Sequence, residues 1–273
     1  RIANKFADLK SKEQSAFVSY IMAGDPNYDT TLEIMKGLPE AGVDIIEIGA
    51  PFTDPMADGT TIQLAGQRAL AGGMTLKKTL KMVSSFRENN NDTPVVLMGY
   101  YNPIYSHGVE AFISDAKNAG VDGLIVVDLP PEEASEIYDI WGKHQLDLIM
   151  LCSPTTTDLR MKLISKYATG YVYYVSLKGV TGSAAINVEH VQNLYGKRKS
   201  QCQDLPILVG FGIKNKNDAK NIASFADGVV IGAALIEAVE KSNNPLQACY
   251  EFLEPINKVI DNILTIIPEN IFI

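Results

Sequence analysis

Short apolar stretches recur along the chain, and they alternate with longer stretches in which apolar residues are spaced as on one face of a helix. Each apolar stretch is rich in β-branched and aromatic residues and leads into a turn rich in Gly, Pro or Asp. Eight stretches follow this rule, at residues 17–22, 44–48, 94–98, 123–127, 147–151, 171–175, 206–209 and 228–231. Strands that alternate with helices form parallel sheets, and continuously apolar strands are covered on both faces. The pattern therefore predicts an α/β fold, a (β/α)8 TIM barrel.

Two turns share the sequence AGVD, at residues 41–44 and 119–122. We expect the glycine in each turn to end a helix in left-handed geometry. An extra N-terminal helix is predicted over residues 3–10, and the last large helix over residues 245–264. No linker or break in composition divides the chain, so we expect a single barrel domain over residues 1–273.

Composition narrows the classes of function. A net charge of −8 and a pI near 5.0 argue against a nucleic-acid partner. The first residues have no signal-peptide pattern, and no apolar run is long enough to cross a bilayer, so we expect a soluble, cytoplasmic protein without a membrane partner. Three separated cysteines and three scattered histidines indicate neither a disulfide framework nor a metal site.

The stretch DIIEIGAPFTDPMADG, residues 44–59, places a carboxylate inside an apolar strand. An ionised Glu47 among isoleucines is unfavourable unless it is paired or used. The following loop carries Asp54 and Asp58 among prolines and a glycine, so a second carboxylate can be held over the strand end. This arrangement suits an acid/base pair. Two simpler interpretations stay open, a strand-end Glu47 satisfied by a neighbour and an Asp58 that only serves the turn.

Polar side chains follow several of the other strands, at the end where such barrels place their active sites. They are Tyr20, Asp25, Tyr100, Asn102, Asp128 and Tyr173. Residues 176–186, SLKGVTGSAAI, form a loop long enough to act as a lid. On spacing alone, Tyr173 is more typical of a core residue, while Tyr100 and Asn102 are also typical of a helix entry.

Two glycine turns predict phosphate binding. The seventh stretch ends in GFG at residues 210–212, and the eighth ends in GAA at residues 232–234, which opens a short phosphate-binding helix. Backbone N–H groups at such positions bind anions, although the glycines could also serve only to start a helix. The chain has no strand lysine for a Schiff base and no imidazole cluster for a metal. The reaction must then depend on carboxylates, a tyrosine and a substrate that accepts the electrons itself.

Taken together, EIGAPFTDPMADGTTIQ, the loop GVTG, and the segments GFGI and GVVIGAAL resemble the α subunit of tryptophan synthase over essentially the whole barrel. The resemblance implies a lyase of tryptophan biosynthesis that cleaves indole-3-glycerol phosphate to indole and glyceraldehyde 3-phosphate, with no cofactor in this chain. It also implies an α2β2 heterotetramer with a pyridoxal-phosphate β subunit, which receives indole through a tunnel.

The same resemblance implies a role for individual residues. Glu47 is similar to the family's general acid/base at indole C3 and at the glycerol hydroxyl, Asp58 to the carboxylate that holds the indole N–H, and Tyr173 to an assisting tyrosine. The implied indole slot and lid contact comprise Tyr20, Met98, Tyr100, Ile125, Val127, Leu151 and Thr181. The implied phosphate site comprises Gly182, Phe211, Gly212, Gly232 and Ala233. The implied partner interface comprises Asp54, Pro55, Asn102, Pro103 and Pro130.

Three residues depart from the family's common pattern: Leu177 stands in place of Arg, Ala233 in place of Ser, and Tyr20 in place of Phe. They bear on substrate affinity and lid behaviour more than on reaction type. Two rival functions stay open. One is a weakly active barrel that mainly binds and regulates a β partner, which the presence of both carboxylates disfavours. The other is a different phosphate-binding barrel enzyme, such as an isomerase, which would show no dependence on indole.

Overall fold

The computed structural model describes residues 1–176, 188–202, 204–210 and 212–261, and helices alternate with strands through these ranges. The strands are β1 (Ala16–Met22), β2 (Ile45–Gly49), β3 (Val95–Gly99), β4 (Gly123–Val126), β5 (Asp147–Leu148), β6 (Met150–Cys152), β7 (Val172–Val175), β8 (Ile207–Gly210) and β9 (Gly228–Ile231). The helices are α1 (Ile2–Ser11), α2 (Tyr28–Gly37), α3 (Thr60–Ala71), α4 (Leu76–Arg87), α5 (Tyr101–His107), α6 (Val109–Ala119), α7 (Ala134–Lys143), α8 (Asp158–Tyr167), α9 (Val188–Gln201), α10 (Lys216–Ala223), α11 (Ala233–Glu240) and α12 (Pro245–Asp261).

The strands form one parallel sheet in the order β5-β4-β3-β2-β1-β9-β8-β7-β6. The two end strands of this order, β5 and β6, are halves of one chain segment, separated by Ile149. β5 pairs with β4 and β6 pairs with β7, while the Ile149 N–H is donated to the Leu124 carbonyl at 2.9 Å. The predicted strand 147–151 is therefore divided, because its halves bond to different neighbours. The sheet curls into a nearly closed barrel, which confirms the predicted fold class.

Buried apolar side chains form two layers. The inner layer fills the barrel and includes Val18, Ile45 and Val96, and the outer layer joins the strands to the helices and includes Phe17 and Phe86. All residues of β1 and β2 are buried, which confirms the prediction of strands covered on both faces. Since each large apolar side chain contributes about 1.5–3 kcal/mol when fully buried, these layers supply most of the favourable free energy of folding.

Helix α1 closes the N-terminal end of the barrel. Ile2 is 0% exposed and belongs to the inner layer, where its side chain packs against Gly123. The Phe6 ring packs edge-on against Tyr171, with 6.0 Å between ring centroids. The helix predicted before the first strand thus covers the bottom of the barrel, and the opposite end holds the loops that follow the strands.

The two AGVD turns lie at the N-terminal end of the barrel. Their glycines have positive φ, +91° at Gly42 and +92° at Gly120, as predicted. The aspartate after each glycine binds the start of the preceding strand, and Asp122 Oδ2 accepts the Val95 N–H at 2.8 Å. Asp44 binds β1 in the same way. Gly120 ends α6 directly, as predicted, whereas α2 already ends at Gly37 with Leu38 as its cap, so Gly42 closes the turn that follows that helix. Both turns also anchor a strand.

Candidate active site

Glu47 lies in the middle of β2, where it pairs in register with Tyr20 of β1 and Val96 of β3. Its side chain is 0% exposed. Oε1 accepts a hydrogen bond from the Tyr171 hydroxyl at 2.7 Å, whereas Oε2 has no hydrogen-bond partner among the described residues. One carboxylate oxygen is therefore held in place while the other stays available for a ligand.

Burial controls the ionisation of Glu47. Desolvation of the charged form raises its pKa from 4.5 to about 7, and the hydrogen bond from Tyr171 opposes this rise because it favours the carboxylate. Near neutral pH the protonated and ionised forms are then both well populated. A group that first donates and later accepts a proton needs this balance.

Asp58 lies on the loop between β2 and α3, and the loop is held by several hydrogen bonds. The Asp58 N–H is donated to the Pro55 carbonyl at 3.1 Å, and Gln63 Nε2 donates to the Asp58 carbonyl at 2.9 Å. The Tyr100 hydroxyl accepts the Ala57 N–H at 3.1 Å. Desolvation raises the pKa of Asp58 to about 6, opposed by hydrogen bonding with Tyr100. The two carboxylates therefore differ in environment.

A cavity of about 460 Å³ at the C-terminal end of the barrel brings the predicted groups together. Its lining includes Glu47, Asp58 and Tyr173, together with Gly232 and Ala233. This volume suits a ligand of a few hundred daltons. One cavity thus contains both the two carboxylates and the predicted phosphate-binding turns.

The phosphate end of the cavity is formed by main-chain groups at Gly212 and by the start of α11. Gly232 caps α11 without a side-chain hydrogen bond, so the first N–H groups of the helix remain available to an anion. Gly212 has a φ of +82°, a conformation that favours glycine. Lys214 and Lys241 also line the cavity, as does Glu237, whose carboxylate lies 3.9 Å from the Lys241 ammonium group. Of the predicted phosphate residues, Gly182 and Phe211 lie outside the described residues.

A second cavity of about 860 Å³ adjoins the first and shares Asp58, Met98 and Tyr173 with it. Val127 and Leu151, which were predicted for the indole slot, line this second cavity. Tyr20, Met98, Tyr100 and Val127 also surround a small pocket beside Asp58. Tyr20 lines the cavity of about 460 Å³ as well, Tyr100 is buried and stacks on Phe52 with 5.3 Å between centroids, and Ile125 lies in the inner layer of the barrel. Thr181 and Leu177 lie outside the described residues.

Two of the other polar residues at the strand ends have structural partners. Asp25 forms a paired contact with Arg68, at 2.7 and 2.9 Å, and is 8% exposed. Asp128 accepts the Tyr101 N–H at 2.7 Å, at the start of α5. These contacts account for both carboxylates without a substrate. Asp25 therefore braces β1 against α3 and does not line the cavity.

The residues predicted for a partner interface lie on one rim, beside the cavities. Asp54 and Asn102 are exposed, while Pro55, Pro103 and Pro130 are partly exposed. The same rim carries two exposed apolar side chains, Met56 at 83% and Tyr105 at 69%. Exposed apolar groups beside polar ones are typical of a protein-binding surface.

Tyr171 contacts the candidate acid/base Glu47, and the sequence pattern did not single it out. It is fully buried in the inner layer and provides the hydrogen bond to Glu47. A signal was present, since residues two apart on a strand share a face and Tyr171 precedes the candidate Tyr173 by two. The strand pattern predicts the face of the strand on which Tyr171 lies. Its hydrogen bond, however, depends on Glu47 of β2, 124 residues away in the sequence.

Several other features can be stated for the described ranges. No group of three or more His, Cys, Asp or Glu side chains within them is arranged to bind a metal ion. Cys152, Cys202 and Cys249 are buried free thiols, and burial raises the pKa of each. No helix in these ranges has the length and apolar character needed to span a membrane.

Comparison with known proteins gives one consistent result. A family model described as "Tryptophan synthase alpha chain" matches residues 6–262. The solved structure of tryptophan synthase subunit alpha from Legionella pneumophila is 44% identical, with a TM-score of 0.90, over 96% of this chain and 98% of that one. A solved chain from Aquifex aeolicus is 39% identical, with a TM-score of 0.87, over 94% and 98%. A tryptophan synthase structure from M. tuberculosis, an aminoacrylate-bound form, is 31% identical, with a TM-score of 0.85, over 95% and 98%. The chain therefore belongs to the tryptophan synthase alpha chain family.

Proposed function

We propose that Glu47 and Asp58 share the work of the reaction of this family, the retro-aldol cleavage of indole-3-glycerol phosphate to indole and glyceraldehyde 3-phosphate. Glu47 acts as general acid and then as general base, and Asp58 holds the indole N–H. The observation that carries this assignment is the shared cavity, which is lined both by two carboxylates with raised pKa values and by the predicted phosphate-binding turns.

In the first step, protonated Glu47 gives its proton to C3 of the indole. The ring becomes an indolenine whose C=N carries positive charge, and Asp58 stabilises this charge by accepting a hydrogen bond from the ring nitrogen. The unpartnered Oε2 of Glu47 supports this role, because that oxygen has no competing contact among the described residues.

In the second step, ionised Glu47 removes the proton from the hydroxyl next to the ring. The O–H electrons form the new C=O, and the bond between the side chain and C3 breaks. Its electron pair returns to the ring and neutralises the C=N charge. The substrate itself accepts the electrons, so this sequence requires no cofactor in the chain. Tyr173, whose hydroxyl lies over Gly210 at the cavity wall, assists this step.

We also propose that the rim with Asp54, Pro55, Asn102, Pro103 and Pro130 binds the β subunit, which carries pyridoxal phosphate. The exposed Met56 and Tyr105 beside it support this proposal, because they gain most from burial in a complex. The Asp58 loop also carries Asp54 and Pro55. Partner binding and catalysis would then be coupled through one short segment.

Purified chain incubated with indole-3-glycerol phosphate is expected to release indole, measured by following the two products over time. The same assay with added β subunit separates the two remaining possibilities. An active isolated chain supports catalysis by this chain. Indole release that stays at background with and without the β subunit would refute the proposed reaction, and release only in the complex would show that the isolated chain is weakly active and depends on its partner.

The pH dependence of kcat/KM is expected to be bell-shaped, with limbs near pH 6 and pH 7. Asp58 must be ionised to stabilise the ring nitrogen, so activity rises as pH increases through its pKa of about 6. Glu47 must be protonated to act as acid, so activity falls as pH increases through its pKa of about 7. Both conditions are best met between these values. Initial rates at low substrate from pH 5 to 9 measure the profile.

The Tyr171→Phe variant assigns the upper limb to Glu47. The Tyr171 hydrogen bond lowers the pKa of Glu47, so its removal is expected to move the upper limb to higher pH and leave the lower limb in place. The Asp58→Asn variant should lose the lower limb together with most of the activity. If Tyr171→Phe shifts the lower limb instead, the two roles are exchanged and the mechanism is wrong.

A further inference from the structure

The side chain of Tyr20 crosses the mouth of the barrel from one neighbouring strand to the other. A Cβ added at Gly232, after β9, would lie 3.1 Å from the Tyr20 Cβ. A Cβ added at Gly49, the last residue of β2, would overlap with the Tyr20 hydroxyl. The ring therefore begins beside the phosphate-binding turn and ends above the strand that carries Glu47.

The hydroxyl of Tyr20 lies above the Glu47 carboxylate, on the side toward the cavity mouth. Glu47 and Gly49 are two residues apart on β2, so they share the inner face at a spacing of about 6–7 Å along the strand. Tyr20, Glu47, Asp58 and Gly232 all line the same cavity of about 460 Å³. The hydroxyl thus lies on the mouth side of Glu47, in a cavity that Asp58 also lines.

This hydroxyl has poor hydrogen bonding within the protein. Tyr20 is only 7% exposed, and within the described ranges its partner is the Met22 thioether sulfur at 4.0 Å. A thioether is a weak acceptor, and buried tyrosine hydroxyls normally have a better partner. Glu47 instead accepts from Tyr171. Packing alone does not account for the hydroxyl, because a phenylalanine ring would fill the same space.

The charge of the surroundings keeps the hydroxyl protonated. Burial raises the pKa of Tyr20 well above 10, and the nearby carboxylates of Asp58 and Glu47 raise it further. Tyr20 therefore carries its proton at every pH at which the protein is folded and active. It can donate a hydrogen bond to a neutral oxygen in the cavity.

We propose that the Tyr20 hydroxyl donates a hydrogen bond to a hydroxyl oxygen of the three-carbon chain of the bound substrate. This inference rests on the proposed function, which places the indole ring near Glu47 and Asp58 and the phosphate near Gly232. The three-carbon chain must then connect these two ends, alongside the Tyr20 ring. Tyr20 selects a polyol chain over a plain alkyl chain.

The Tyr20→Phe variant tests this role with two ligands. For indole-3-glycerol phosphate, kcat/KM is expected to fall about fivefold to tenfold, the effect of one neutral hydrogen bond. Indole-3-propyl phosphate keeps the ring and the phosphate but has no chain hydroxyls. Its dissociation constant, measured by calorimetry, is expected to stay within about twofold of the wild-type value. A loss that is confined to the ligand with chain hydroxyls points to the contact between the Tyr20 hydroxyl and the chain.

Tyr174→Phe is the matched control. Tyr174 follows Tyr173 on β7, packs in the outer layer, and has a buried hydroxyl without a partner among the described residues. Both variants are expected to melt at the wild-type temperature or higher, because each removes a poorly bonded buried hydroxyl. The control should keep wild-type kcat/KM.

Three outcomes would overturn the role of Tyr20: an unchanged kcat/KM in Tyr20→Phe, an equal loss for both ligands, or an equal loss in Tyr174→Phe. The first means that the hydroxyl does not contact the substrate, and the second means that the loss does not come from a contact with the chain hydroxyls. The third means that removing a buried tyrosine hydroxyl elsewhere has the same effect. Each requires that the wild-type chain releases indole. If the wild-type chain releases none, the proposed function fails first, and the two failures are thereby distinguished.

Discussion

The Glu47→Gln variant is expected to lose nearly all indole release while it folds as the wild type does. Glutamine has the same shape and can still accept the hydrogen bond from Tyr171, but it cannot donate a proton to indole C3 or remove one from the glycerol hydroxyl. General acid/base catalysis contributes about a hundredfold to ten-thousandfold to such reactions. Stopped and continuous assays of indole release at saturating substrate measure the loss in kcat.

The stability of the Glu47→Gln variant provides an independent test of the state of Glu47. The pKa of Glu47 rises from 4.5 to about 7 on folding, so between these pH values the folded chain holds a proton that the unfolded chain has released. The free energy of unfolding of the wild type therefore falls as pH rises through this window. Glu47→Gln lacks this penalty, and we expect it to be as stable as the wild type or more stable at pH 8, by urea denaturation.

The exposed Glu88 provides the control, because Glu88→Gln removes a carboxylate at the C-terminal end of α4, away from the cavity lining. It should change neither kcat nor stability beyond experimental error. A Glu47→Gln variant with more than about a tenth of wild-type kcat would contradict the assignment of Glu47 as acid and base. A large loss of stability at pH 8 would indicate a structural role instead.

The Asp122→Ala variant is expected to lower the free energy of unfolding by about 3–5 kcal/mol, the typical effect of removing one partner of a buried ion pair. Asp122 accepts from Arg87 Nη2 at 2.7 Å and from the Val95 N–H at 2.8 Å, and it also pairs with Arg1. The side chains of Asp122 and Arg87 are only 7% and 8% exposed. Without the carboxylate, a buried guanidinium and a strand N–H lose their partner.

Urea denaturation at pH 7 measures this effect, and Asp92→Ala is its matched control. Asp92 is exposed and lies close to β3 in the sequence, so its removal should change stability by less than about 0.5 kcal/mol. A change of less than about 1 kcal/mol in Asp122→Ala would show that the pair does not hold the bottom of the barrel. Because Asp122 lies at the end opposite the cavity, kcat should be unaffected wherever the variant is folded.

The alternation of strands and helices was predictable because it depends on residues that are near one another in the sequence. The period of apolar positions predicted the eight strand regions, and the AGVD turns predicted left-handed glycines, as observed at Gly42 and Gly120, although only Gly120 directly ends a helix. The division of the strand region 147–151 was not predictable. It follows from the choice of β4 and β7 as partners for its two halves, which the segment's own sequence does not specify.

Parts of the candidate site were predictable in the same way. An acidic residue within an apolar strand identified Glu47, and a stiff loop identified Asp58. The resemblance in their shared motif gave them different roles. The burial of Asp25 against Arg68 and the position of Ile125 inside the barrel required the structure, because a strand end can face either the cavity or a neighbouring helix.

The sequence by itself determined the barrel, the positions of its turns and the two carboxylates, since local periodicity and turn chemistry decide these features. Only the tertiary structure determined the pKa and the hydrogen-bond partners of each carboxylate. The pKa of Glu47 depends on the loss of water around it and on Tyr171, which is supplied by a strand 124 residues away. The pKa of a carboxylate depends on all the groups that surround it in the folded chain. Those groups come from segments that are distant in the sequence.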